Sequence, residues 1–252
     1  MALLSTEALV LRGHKLGETS RIVVLLTRER GKLRAVARGA RGGRPRYRSA
    51  LEPLSEVRVS LYGRQGAELL RLGDAELLHS AFRAGSRSLD AALFLSGCAE
   101  LVDAFCPEGE AEDRVYRLAL AVVRATEAGA SPEQLGRYLE AWLLRLHGLY
   151  PPLDRCAGCS RPLPKGALLY DRSAHGFVCE ACGGSATGPE LPADVRSFLA
   201  FVFSQPPEAL VGEGPASLSA VEAFHRELIS AHLERDLRAP RVIRDVRRER
   251  AR

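Results

Sequence analysis

The sequence predicts a multi-domain α+β protein: a small β-barrel over residues 1–80, then a helical domain over 81–252, interrupted at about 153–186 by a cysteine-bearing insert. Three observations predict it. The first 80 residues hold five short runs rich in Val, Leu and Ile, separated by Gly or charged turns. From Leu89 onward, apolar residues recur at helical spacing. Two Cys-x2-Cys pairs then sit in a Gly- and Pro-rich stretch between helical segments.

The strand runs are Thr6–Arg12, Ser20–Thr27 and Lys32–Ala37, with a turn at Glu29-Arg30-Gly31 between the second and third. Val57, Val59 and Leu61 alternate with Arg58, Ser60 and Tyr62, the pattern of a half-buried strand. Glu68–Leu78 follows the turn from Tyr62 to Gly66 as a fifth run. Five short strands suit a small closed barrel such as the oligonucleotide-binding (OB) fold, and an SH3-like barrel explains the same pattern. Helical stripes follow through Leu93 and Val102, through Val115 and Val122, and through Leu135, Leu139 and Trp142. Ser131-Pro132-Glu133 reads as a helix start, with Ser131 capping and Pro132 in the first turn. Tyr150-Pro151-Pro152 closes that helix, because a helix does not readily cross Pro-Pro. Helical spacing resumes at Val195–Phe203 and Val221–Leu233. The Phe198, Phe203 and Phe224 set and Trp142 read as core.

The net charge of +5 matters less than its distribution. Residues 1–80 hold 15 Lys/Arg against 8 Asp/Glu, residues 81–148 hold 7 against 10, and Arg235–Arg252 hold 8 against 3. Basic ends around an acidic middle point to a polyanion partner, with ordinary solvated surface as the alternative. The densest feature is the loop after the third strand. There Arg38, Arg41, Arg44, Arg46 and Arg48 alternate with Gly39, Gly42 and Gly43. A rigid sheet delivering such a loop is what backbone-directed nucleic-acid binding requires. Arg34, Arg38, Arg41, Arg44, Arg46 and Arg48 are the leading candidates for binding phosphates, followed by Lys15, Arg21 and Lys32. Tyr47 and Tyr62 are the candidates for base stacking. Two readings stand for the basic tail: Arg241, Arg244, Arg247 and Arg248 line a phosphate-binding helix face, or the end is frayed and solvated.

Cys156-x2-Cys159 and Cys179-x2-Cys182 are 19 residues apart, the spacing of a four-thiolate zinc ribbon. Disulfides and a redox pair are the alternatives. A cytoplasmic chain disfavours the first, and the doubled motif in a loop-rich insert disfavours the second. Four thiolates close the coordination sphere, so a zinc ion here is structural. Cys98, on a helical stripe, reads as a small core residue. No Gly-x4-Gly-Lys-Ser/Thr motif points to a nucleotide, and no paired carboxylates suggest a nuclease. His225 and His232 share a face with Val221 and Leu228 and read as partly buried. A non-enzymatic, cytoplasmic protein is expected: no apolar run approaches a membrane span, and no basic segment precedes the N-terminal apolar residues.

The motifs together resemble the RecO family of bacterial recombination mediators. The resemblance rests on Glu7–Leu11, Gly17-Glu18-x-Ser20, Thr27-x3-Gly31-Lys32, Ala37–Arg41 and Leu51–Leu54. Further on it rests on Leu146-x-Gly148-Leu149-x-Pro151-x-Leu153 and on Gly176-Phe177 beside the two cysteine pairs. The resemblance implies an N-terminal OB fold, a helical domain and, with all four cysteines kept, a zinc-bearing insert. It implies binding of single- and double-stranded DNA, annealing of complementary strands and association with the nucleoid. It also implies action with RecR to load RecA onto strands coated by single-stranded DNA-binding protein (SSB), whose C-terminal tail contacts the helical domain. A zinc-ribbon adaptor working mainly through protein contacts is the alternative.

Overall fold

The computed structural model describes residues 2–40, 47, 50–64, 66–86, 88–210, 212 and 214–233. These residues fall into two compact units, one up to Pro132 and one from Glu133 on.

The first unit begins with a closed five-stranded barrel. Its strands are β1 (Ala2–Leu16), β2 (Ser20–Thr27), β3 (Gly31–Ala37), β4 (Glu56–Gly63) and β5 (Leu70–His79), ordered β1-β2-β3-β5-β4. The parallel pairing of β3 with β5, at Ala35↔Leu70 and Val36↔Arg71, closes the ring. This order is that of the OB fold and decides between the two barrels that the strand pattern allows. β1 outruns the expected Thr6–Arg12 because it serves two partners. Ala2–Leu9 pair with β4, and Ala8–Leu16 pair with β2 past an irregularity at Val10/Arg12.

The apolar run in β2 is continuous because both faces of that strand are buried. Val23 and Leu25 point into the barrel core with Val10 and Val59. Val24 and Leu26 point outward yet are no more than 2% exposed. Two helices, α2 (Leu89–Phe105) and α3 (Asp113–Ala128), pack on β1 and cover that flank. They follow a short helix, α1 (Phe82–Gly85). Ser88 caps α2, its hydroxyl accepting from the Ala91 N–H at 3.1 Å. Gly129 ends α3 in the left-handed conformation, at φ 95°. The β2–β3 turn shows why Gly31 stands where it does. Its φ is 65°, and a Cβ there would come within 1.8 Å of the Glu110 carbonyl oxygen. The Thr27 hydroxyl donates to the Gly31 carbonyl at 2.8 Å and accepts from the Arg30 N–H at 3.1 Å.

The second unit holds α4 (Pro132–Leu146), a three-stranded sheet of β6 (Leu168–Asp171), β7 (Gly176–Val178) and β8 (Glu190–Leu191), then α5 (Ala193–Val202) and α6 (Leu218–His232). The sheet order is β7-β6-β8. As expected, α4 starts at Pro132 and the chain turns away before Pro151. Phe224 of α6 is fully buried and meets Tyr170 at 5.0 Å and Phe177 at 5.5 Å between ring centroids. The insert sheet is therefore packed against α6. A two-point pairing of Arg172 with Glu227, at 2.6 and 2.8 Å, adds a polar clasp. His225 is fully buried, its Nδ1 3.0 Å from Glu140 and its Nε2 3.0 Å from the Tyr150 hydroxyl. Burial lowers its pKa, against the pull of Glu140. Among the described residues, no helix is long and apolar enough to cross a membrane.

Candidate functional site: nucleic-acid interface and metal centre

The strand register gathers one set of cations at the end of the barrel where β1 and β3 finish. Lys15 pairs with Arg21 across β1–β2, and Arg21 pairs with Ala37 across β2–β3. Arg38 follows at once, exposed, and leads into the arginine loop through Gly39 at φ 71°. Arg71, the second residue of β5, lies beside Val36. Among the described residues Lys15, Arg21, Arg38 and Arg71 make no ion pair. Arg41, Arg44, Arg46 and Arg48, and the tail arginines Arg241, Arg244, Arg247 and Arg248, lie outside the described residues.

A second set of cations is already answered. Asp103 of α2 is 2% exposed and receives Arg12 and Lys32, each at 3.2 Å. The Lys32 ammonium also donates to the Asp103 carbonyl at 2.8 Å. Arg34 is paired with Glu108, and Arg28 with Asp113 at 2.9 Å. Lys32 and Arg34 stand opposite Leu26 and Val24, on the barrel flank that the helices cover. Lys32, expected from the sequence to contact phosphate, has its charge neutralised here by a buried carboxylate. Arg34 keeps an exposed side chain, but Glu108 compensates its charge.

The two tyrosines also separate. Tyr47 is 3% exposed within the barrel core, its hydroxyl donating to the Gly73 carbonyl at 3.1 Å. In this position the ring is covered, whereas the sequence expectation has it open to a base. Tyr62 lies on the outer surface, half-buried, with the Arg71 guanidinium 5.1 Å from its ring centroid. Arg71 is the residue that sequence reasoning missed. It sits outside the arginine loop, and only the pairing of β4 with β5 brings it to Tyr62.

In the second unit, Cys156, Cys159, Cys179 and Cys182 bring four sulfurs within 4.8 Å of one another, close enough to hold one metal ion. The first pair lies on a tight hairpin: Cys156 N–H donates to the Arg161 carbonyl and Ser160 N–H to the Cys156 carbonyl, both at 2.8 Å. The second lies on a turn closed by the N–H of Cys182 and of Gly183 onto the Cys179 carbonyl. Gly158 is cradled against this group, since a Cβ there would stand 3.3 Å from Cys182 Sγ. Gly184, by contrast, has open space around it. Hydrogen bonds, chiefly from the Cys179 N–H, pull the Cys156 thiol down to about 6, while the neighbouring sulfurs push that of Cys182 up to about 12. Four thiols this close cannot all ionise unless a cation stands among them. Cys98 and Cys106 are buried in the first unit, apart from this group.

Two family models cover almost the whole chain: one described as recombination protein O N terminal over residues 1–81, the other as recombination protein O C terminal over 86–241. The chain belongs to the recombination protein O family. Relatives named DNA repair protein RecO agree along its length. That of Koribacter versatilis is 34% identical, with 92% of this chain and 94% of the relative covered. That of Geobacter metallireducens is 32% identical over 96% and 97% respectively. The border between the two recombination protein O models falls after the barrel, whereas packing groups α1–α3 with it. α2 and α3 pack on β1, and ion pairs from Asp103, Glu108 and Asp113 reach the barrel as well.

Proposed function

We propose that this member of the recombination protein O family is a non-enzymatic DNA repair and recombination mediator. It binds single- and double-stranded DNA through the open end of its barrel and anneals complementary strands. The observation that carries this reading is the set of cations at the root of the arginine loop, Lys15 and Arg21 in register and Arg38 just past β3, which make no ion pair among the described residues. Annealing requires two phosphate backbones to approach against their mutual repulsion. A fixed cationic edge lowers that repulsion, and contacts confined to phosphates leave the bases free to pair. The family resemblance extends the reading to RecR, to the SSB tail and, through them, to RecA loading.

The metal we assign to the cysteine cluster is zinc, in a structural role. A tetrahedral ion with Zn–S bonds of about 2.3 Å has sulfur–sulfur edges of about 3.8 Å, and Cys159 Sγ and Cys179 Sγ are 3.8 Å apart. Four sulfur ligands leave no position for an activated water.

The adaptor reading has one observation in its favour: Phe82 and Leu89, at the start of the helices, are 68% and 51% exposed. Fluorescence anisotropy with a labelled single strand across a salt series separates the two. The DNA-binding reading expects affinity that falls steeply with salt, and a slope that shrinks by about 0.7 for each single-strand phosphate the protein ceases to neutralise. An Arg21→Glu/Arg38→Glu variant with unchanged affinity and slope overturns it.

A further inference from the structure

A row of side chains crosses the outside of the barrel one register step from the cationic edge. Leu3 of β1 pairs with Tyr62 of β4, Tyr62 with Arg71 of β5, Arg71 with Val36 of β3, and Val36 with Ile22 of β2. Paired residues share a face of the sheet, so these five form one continuous strip. Leu3 is 60% exposed, and Tyr62, Val36 and Ile22 are half-buried. The flank toward Val24 and Leu26 is sealed, but this strip is open.

Within it, Tyr62 is held in a definite way. Its ring crosses β5 at Gly73, where a Cβ would come within 2.2 Å of Cε2 and 2.9 Å of Cδ2. Any other residue at this position would lift the ring off the sheet. Arg71, two positions earlier on β5, sets its guanidinium 5.1 Å from the ring centroid. Arg71 is exposed and makes no ion pair among the described residues. The arrangement is two planar groups, one cationic, layered on a glycine and flanked by exposed aliphatic surface. A nucleobase is the planar ligand that adds to such a stack, because every base has a π-face and a guanidinium plane accepts it.

We propose that Tyr62 and Arg71 form a stacking platform for an unpaired nucleobase, which lets this barrel favour single strands over duplex. The proposal rests on the DNA-binding reading and deepens it: the cationic edge holds phosphates of any strand, whereas the platform is served only by a base that is not already stacked in a helix. Ile22 follows Arg21 on β2 and points to the opposite face of the strand, so the strip meets the cationic edge at the barrel end and not on a shared face.

The test compares three labelled probes of equal length: oligothymidine, the same backbone without bases, and duplex DNA. The wild-type chain is expected to bind oligothymidine at least roughly fivefold more tightly than the abasic strand, the low end of what stacking one base contributes. Tyr62→Ala is expected to abolish that preference while leaving abasic and duplex affinity within twofold and the salt slope unchanged. Arg71→Lys keeps the charge, removes the plane and should reduce the preference without disturbing the packing over Gly73. Retention of the full preference in both variants overturns the proposal and returns the strip to protein binding. Wild-type chain that binds none of the probes overturns the DNA-binding reading itself, and the platform with it.

Discussion

The two flanks of the barrel carry similar numbers of basic residues and use them in opposite ways. On the flank covered by α2 and α3, Arg12, Lys32, Arg34 and Arg28 each meet a carboxylate. At the open end, Lys15, Arg21, Arg38 and Arg71 meet none among the described residues. The acidic middle of the chain supplies the difference. Asp103, Glu108 and Asp113 come from the stretch with 10 acidic against 7 basic residues, and they direct their charge at the barrel. A count of charges along a sequence therefore overstates what a ligand can use. The charge available for binding is what remains after the fold has neutralised its own.

The largest expected effect concerns what folds the protein. If the cysteine cluster holds zinc as proposed, replacing Cys156 and Cys179 with Ser should lower the zinc content of the purified chain, measurable by atomic absorption. It should also melt the second unit at markedly lower temperature, since thiolate zinc sites of small domains contribute about 10–16 kcal/mol on binding. DNA affinity should stay within twofold. A folded variant that no longer binds DNA would show that binding is not confined to the barrel. Next in size, Asp103→Ala leaves two cations facing a buried surface. Urea denaturation should show a destabilisation of about 3–5 kcal/mol, with the salt slope of DNA binding unaltered. Lys32→Met should likewise cost stability rather than affinity, and a selective fall in DNA binding would restore Lys32 to the ligand set.

At the open end the expectation reverses. Arg21→Glu with Arg38→Glu should weaken single-strand binding at least tenfold, while stability by urea stays within about 0.5 kcal/mol, as for exposed positions in general. Equal declines in both measurements would erase the contrast between the flanks. The smallest effect concerns pH. Burial holds the His225 pKa below the ordinary imidazole value of 6.5, so the unfolded chain binds more protons than the folded one in that range. Stability should fall as pH drops below about 6.5, and the decline should be shallower in His225→Gln. Melting curves for the two proteins at neutral and mildly acidic pH check this; parallel declines would remove His225 from the account.

Much of this molecule is legible in its residues because the relevant physics is local. Val57, Val59 and Leu61 alternate with polar neighbours, so β4 declares its period. Pro132 cannot sit deep inside a helix, so α4 has its start, and Gly31 marks a turn that only glycine tolerates. Two Cys-x2-Cys pairs converge because a four-residue turn aims both sulfurs the same way, and the 4.8 Å cluster follows from that spacing. The fate of a side chain beyond its own strand is another matter. Lys32 and Arg38 look alike in sequence, as do Tyr47 and Tyr62. Lys32 is consumed because α2 lays Asp103 over it, a hydrogen bond between residues 71 positions apart. Tyr47 turns into the core toward Gly73, 26 positions away, while Tyr62 crosses the same glycine from outside. Arg71 joins the candidate surface only because β5 pairs with β4 and β3 at once. Local sequence determined which segments become strands, helices and cysteine turns, since those depend on neighbours a few residues away. Tertiary structure alone decided which charges and rings remain free, because neutralisation and burial depend on partners that the chain brings together only when it closes the barrel and lays its helices across one side.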